Sequence, residues 1–257
     1  MQLYTFIVMF ILGTILGSFY NVVGYRLPKG QSIIYPSSHC PKCNHKLSVL
    51  ELIPILSFII TKGKCRHCQK KISWFYPIFE LITGLLFGIL YLVYGLTPEI
   101  IIPLTFISML IIIVISDYHY MIINDSILIV FGILLSLEIL LINGINPLIS
   151  SLINAVFAFL TMYGLKLLGN FLFKKESMGD GDIKLLSTFG LVLGYPMAIT
   201  SIFIGSMIGF PISLFMLKNN PDHIIPFGPF LAIGATIIII TNLDINALLN
   251  LLNSWHF

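Results

Sequence analysis

Two carboxylates in this chain stand where a carboxylate is costly. Asp117 closes the apolar run 100–116, and Asp182 ends Gly179-Asp180-Gly181-Asp182 just before the apolar run 183–193. An acid at the edge of hydrocarbon points to function by default. Two carboxylates that meet cannot both ionise easily, so they share one proton. The ionised partner can then draw a proton from water while the protonated one polarises a carbonyl, which is aspartic hydrolysis of a peptide. The same residue types also serve ion or proton relays. Gly179 and Gly181 lack side chains, so an extended substrate backbone can approach Asp182 along them. A plainer reading makes Asp182 the N-cap of a helix starting at Ile183, and the two roles are compatible. Asp125, in Asn124-Asp125-Ser126, reads as an N-cap for the next helix, and Asp180 occupies the free position of its motif.

A second constellation is made of thiols. All four cysteines fall in one loop, as Cys40-Pro41-Lys42-Cys43 and Cys65-Arg66-His67-Cys68, with 21 residues between the pairs. Each C-x2-C forms a knuckle aiming two thiolates at one ion, and two knuckles complete a tetrahedron, as in a zinc ribbon. Four thiolates close the coordination sphere, so the expected zinc is structural. A cytoplasmic location disfavours disulfides between them. The loop reads as mostly polar and too short for a large core, which gives a metal staple a purpose. His39, His45 and His67 read as neighbours of the site rather than ligands.

These groups must be positioned by a membrane protein. Of 257 residues, 57% are hydrophobic and 10% charged, with mean hydropathy +0.98; soluble domains carry about 25% charge. Apolar runs occupy 3–23, 75–94, 99–116, 122–142, 147–168, 183–193, 197–217 and 224–241. They predict about eight transmembrane helices, with six or seven as the smaller counts; the run at 183 is short for a span of roughly 17–25 residues. The first run lacks a basic flank and a small-x-small cleavage site, so it is expected to stay as an anchor. The fold class is therefore an all-α polytopic membrane protein with one small zinc-ribbon-like loop domain. The expected division is a first helix at 1–24, a tetracysteine loop at 25–73 and a helical core at 74–257.

Charge sets the orientation. Nine of the 14 Lys and Arg lie in the first loop (Arg26, Lys29, Lys42, Lys46, Lys62, Lys64, Arg66, Lys70 and Lys71). By the positive-inside rule that loop is cytoplasmic. Eight spans then place the connections at 118–121, 173–182 and 218–223 on the same side, with Lys174, Lys175 and Lys218. The opposite connections carry no Lys or Arg, and both aspartates face the cytoplasm. Glu80 falls about one turn inside the second span. It needs a cationic partner or a proton: an ion pair with Lys184 is one reading, and binding of an amine from a substrate is the other.

The motifs, taken in order, resemble the type IV prepilin peptidases. They are Gly17-Ser18-Phe19-Tyr20-Asn21-Val22-Val23, Tyr25-Arg26-Leu27-Pro28, Ser38-His39-Cys40-Pro41-x-Cys43, Ile53-Pro54, Gly63-Lys64-Cys65-Arg66-His67-Cys68, Tyr76-Pro77-x-x-Glu80, Asp117, Gly179-x-Gly181-Asp182-x-Lys184-Leu185 and Ile225-Pro226-Phe227-Gly228-Pro229-Phe230-Leu231-Ala232-x-Gly234. The resemblance covers nearly the whole chain. It implies an aspartic endopeptidase of the bacterial cell membrane that removes the short basic leader of prepilins and pseudopilins on the cytoplasmic side, in pilus assembly, secretion or competence. It implies Asp117 and Asp182 as the catalytic pair, and Gly179, Gly181 and Glu80 at the substrate. It also implies N-methylation of the new terminus with S-adenosylmethionine, although no Gly-rich dinucleotide-type fingerprint for that donor is present. Partners are membrane-embedded pilin-like substrates and the lipid bilayer, with no nucleic acid. The family's Ile-Pro-Asp after the first aspartate is here Ile123-Asn124-Asp125, which is expected to relax that turn. The segment 224–234 is expected to wall a substrate groove or to form a tight helix contact. The competing classes are an ion- or proton-coupled carrier using the same aspartates, and an assembly subunit whose metal loop docks a partner. No internal repeat of the kind many carriers show is visible.

Overall fold

The computed structural model describes residues 1–176, 178–219 and 225–243, with the backbone alone at 217–219. Among them are nine α-helices: α1 (Gln2–Arg26), α2 (Leu56–Ile60), α3 (Phe75–Tyr94), α4 (Ile101–Tyr120), α5 (Asp125–Asn143), α6 (Ile145–Phe173), α7 (Asp180–Leu193), α8 (Tyr195–Asn219) and α9 (Gly228–Thr241). Each of the eight apolar runs corresponds to one of these helices, although α4, α5 and α9 begin two to four residues inside their runs. Six helices are long and apolar enough to cross a membrane, α1, α3, α4, α5, α6 and α8. Of the other three described helices, α2 has five residues and α7 and α9 have 14 each. At ~1.5 Å per residue α7 and α9 reach roughly 21 Å, short of a hydrocarbon core of about 30 Å. The start of the last run at 224, the expected connection at 220–223 and the tail past 243 lie outside the described residues.

The chain divides into two compact units, Met1–Ile100 and Ile101–Phe257. In the first, α1 and α3 pack along a seam of small residues. A Cβ added at Gly13 would lie 2.7 Å from the Thr83 carbonyl oxygen, and one at Gly84 would lie 2.6 Å from Thr14 Cγ2. Lipid supplies no hydrophobic drive between helices, so close backbone approach has to supply the attraction instead. Thr14 and Thr83 each return their hydroxyl to a carbonyl of their own helix, so neither hydroxyl needs a partner across the seam.

The second unit is arranged around α4. Two thirds of its apolar window is buried inside the protein, more than for any other candidate span. Helix α4 packs on α5 and α9, and α7 packs on α6 and α8. Phe106 and Phe189 meet edge to face at 5.5 Å, tying α4 to α7. Asp117 sits in the last turn of α4, so burial of this helix is what takes the carboxylate out of water.

Gly13→Leu is expected to part α1 from α3, because the atom it meets first is backbone. The overpacking cost is about 1–3 kcal/mol, read as a lowered unfolding temperature in detergent. Gly132, beside which nothing lies within 4 Å, should accept the same change without loss.

Candidate active site and metal centre

Where α4 ends, the chain folds back on itself. Met121 adopts φ 54° and its N–H donates to the Asp117 carbonyl at 2.8 Å, while the Ser116 hydroxyl donates to the Ile122 carbonyl. Four residues later α5 begins. Its N-cap is Asn124, not Asp125: the Asn124 side chain accepts from the Ser126 N–H at 2.9 Å. Asn124 keeps φ at −77°, close to the angle a proline imposes, so the family's proline is replaced by a residue that holds the same angle and adds a cap.

Asp117 is 6% exposed. Its Oδ2 accepts the backbone N–H of Gly228, the first residue of α9, at 3.0 Å. A Cβ on Gly228 would fall 2.6 Å from that same oxygen, so only glycine lets the amide come this near. Sequence reasoning noted the glycine but had no signal for this bond, which joins residues 111 positions apart.

Asp182 is the third residue of α7, whose N-cap is Gly179. The N-cap reading of Asp182 is thereby corrected: it lies inside the first turn and takes a hydrogen bond from the Gly179 backbone. An acid there faces the free N–H groups of the helix start. It is half-buried and within Coulombic range of Asp117. Ile123 joins the two halves. A Cβ on Gly181 would meet Ile123 Cβ at 2.7 Å, and one on Gly228 would meet Ile123 Cδ1 at 3.4 Å. The second glycine of Gly179-x-Gly181-Asp182 is therefore filled by Ile123, and Gly179, exposed at the helix start, is the glycine open to a ligand.

The other acids are placed differently. Lys184 donates to both oxygens of Asp125, at 2.7 and 2.8 Å, which rivets the start of α5 to α7 beside Asp182. Both partners are about half-exposed, so the pair is worth at most ~1 kcal/mol. Asp180 pairs with Lys166 of α6. The Lys184 ion pair expected for Glu80 is corrected: Glu80, 8% exposed, accepts the Ile55 N–H at 2.8 Å and the Ser18 hydroxyl of α1. Ile55 has φ 62° and ψ −53°, and Leu56 N–H bonds back to the Pro54 carbonyl. This is a γ-turn with positive φ, a strained shape for a β-branched residue. Nearby in the same unit Asn21, 3% exposed, donates to the Tyr76 carbonyl at 3.3 Å, and its Oδ1 has no partner among the described residues.

The four cysteines do converge. Their sulfurs all lie within 4.8 Å of one another. The two knuckles repeat one design: the residue after the second cysteine, Asn44 or Gln69, has φ near 57° and its N–H returns to the first cysteine's carbonyl at 2.9 Å. Bridges His39–Lys46 and Lys64–Lys71 close each knuckle. Burial opposes ionisation of Cys40, but the N–H groups of Lys42 and Cys43 and the neighbouring thiols bring it down to about 7. For Cys43 the His45 N–H favours the thiolate, yet burial and the other three sulfurs push it up to about 12. Four thiols this close cannot all ionise without a cation among them, and a tetrahedral dication is the group that fits. His45 and His67 stack at 5.0 Å beside the cluster.

With this geometry in hand, comparison places the chain among known proteins. Residues 11–94 match the bacterial peptidase A24 N-terminal domain, and residues 104–214 match the type IV leader peptidase family. A prepilin leader peptidase/N-methyltransferase of Bacillus subtilis is 38% identical over 89% of this chain and 91% of its own. The chain belongs to the type IV leader peptidase family. Proteins of the same name from Neisseria gonorrhoeae and Aeromonas salmonicida are each 32% identical, over 90% and 91% of this chain and 89% and 90% of their own. No solved structure matches it. The two family matches fall one in each compact unit, and a carrier is not favoured by relatives of this kind.

Metal analysis of the purified chain should return one zinc per molecule, lost in C43S. Because protons compete with the metal for thiolates, zinc should be released as pH falls and retained as it rises.

Proposed function

We propose that this protein removes the leader peptide of prepilins or pilin-like proteins at the cytoplasmic face of the bacterial cell membrane. Asp117 and Asp182 are its catalytic pair. The observation that carries the reading is the buried Asp117, fixed through Oδ2 by Gly228 N–H, with Asp182 across Ile123 in Coulombic range. One proton is shared by the pair. The ionised carboxylate takes a proton from water as it attacks the scissile carbonyl, and the protonated one hydrogen-bonds the carbonyl oxygen. The Gly228 amide fixes the Asp117 carboxylate without spending its other oxygen, which is left for the proton or the water. Gly179 gives the substrate backbone access to Asp182. The substrate's apolar helix lies in the bilayer, which fits a site built where the span α4 ends and α7 and α9 begin. The side is set by the basic residues of the first loop, and zinc in the tetracysteine cluster holds that loop.

The relatives' names also carry N-methylation, with S-adenosylmethionine as the donor implied. The grooves among the described residues of the second unit include one of about 380 Å³ along α5 and Leu148 and one of about 240 Å³ between α8 and α9. Both are lined almost wholly by apolar side chains, a poor match to adenine and ribose, so neither is assigned to the donor. When bound, the donor supplies the methyl group. What the chain itself offers that reaction is Glu80, a buried carboxylate suited to the new α-amine of the mature substrate.

Mass spectrometry of a co-expressed prepilin tests all three acids at once. Wild type should release the leader, and D117N and D182N should leave it intact while still inserting in the membrane. E80Q should cleave normally but yield an unmethylated N-terminus. Full cleavage by either asparagine variant contradicts the catalytic assignment, and a fully methylated E80Q product contradicts the amine assignment.

A further inference from the structure

The stretch 49–60 reads Val-Leu-Glu-Leu-Ile-Pro-Ile-Leu-Ser-Phe-Ile-Ile, apolar but for two residues, in a loop expected to be mostly polar. It does not fold into a core. A 3₁₀ turn at Val49–Leu52 and helix α2 follow each other. Only Phe58 of α2 turns inward, onto Gly63 and edge to face with Trp74. Val49 (82%), Leu50 (64%), Leu56 (56%), Ile59 (63%), Ile60 (67%) and Trp74 (69%) are exposed. An apolar patch of this extent on the outside of a protein marks something that covers it.

Its depth identifies the cover. The loop is tethered at both ends to candidate spans, α1 ending at Arg26 and α3 starting at Phe75. The γ-turn in its middle is bonded through Ile55 N–H to Glu80, which lies five residues, or ~7.5 Å, inside α3. With α3 taken as a span, that bond keeps the turn before Leu56–Ile60 beside the end at which α3 enters the bilayer. Charge agrees. The loop 25–73 holds nine Lys and Arg against one acid, Glu51, and Lys64, Arg66, Lys70 and Lys71 follow the patch, all exposed. Apolar residues outward with cations behind them are the composition of an interfacial segment on an anionic surface.

We propose that residues 49–60 are an interfacial membrane anchor, inserted among anionic phospholipids on the side where α1 ends. The strained γ-turn at Ile55 is the hinge by which Glu80 holds the anchor at its depth. The Cys65–Cys68 knuckle is joined to the anchor by the Gly63–Phe58 contact, and its Lys and Arg meet the headgroups. This inference rests on α1 and α3 crossing the bilayer and not on the peptidase reading.

The test places one indole on the patch. In full-length protein carrying W74F and W255F, which removes both native tryptophans, I59W and separately I60W are reconstituted in phosphatidylglycerol vesicles. Lipids brominated near the headgroup should quench most of the emission, while iodide in the water should quench little. Replacing phosphatidylglycerol by phosphatidylcholine should lower the lipid quenching, and E80Q should shift the indole toward water. Strong iodide quenching of both variants overturns the proposal. So does protection from both quenchers, which would mean that a second copy or another protein covers the patch. Leader cleavage measured on the same vesicles reports separately on the peptidase reading.

Discussion

The arrangement of the second unit depends on one cost: keeping the Asp117 carboxylate out of water. It stands in the last turn of the most deeply buried span, where an unpartnered charge would be worth several kcal/mol against the fold. The structure meets that cost with a backbone amide rather than a cation. Gly228 N–H comes from the first residue of α9, at the free N-terminus of a helix, where the dipole favours negative charge. Asp182 lies in the first turn of α7 and has the same kind of support. Both acids are thus served by helix starts, and the lysine nearest Asp182 in sequence, Lys184, is held by Asp125.

From that constraint the local design follows. Two helix N-termini and one helix C-terminus must meet around a small volume, and side chains would keep them apart. Gly181 and Gly228 remove the obstruction on two sides, and Ile123 fills what remains. The turn that carries Ile123 is fixed by Met121 N–H, the Ser116 hydroxyl and the Asn124 cap. A site assembled in this way is rigid at its backbone and open at Gly179. That opening is where the proposed substrate would reach Asp182 as an extended chain.

Much of this was legible in the sequence. The apolar runs, the two aspartates and the four cysteines stand out because each is a local pattern, readable within a few dozen residues. What the sequence did not disclose are pairings across the fold. Gly228 with Asp117, Ser18 and Ile55 with Glu80, and Lys184 with Asp125 are set by which helices lie side by side, and residue type alone does not select the partner. Asp182 lies three places and Asp125 one place past the true N-cap, because a glycine and an asparagine begin those helices earlier. The stretch 49–60 is hidden in the sequence because a loop with so many lysines reads as polar on average, although its charges and its apolar residues are segregated.

The most direct test of the shared-proton account is infrared spectroscopy of the full-length protein near neutral pH, comparing wild type with D117N and with D182N. The account predicts that one protonated-carboxyl band of the wild type is lost in both variants, because a single proton belongs to the pair. Two separate bands, each lost only in its own variant, or no carboxyl band lost in either, would contradict it.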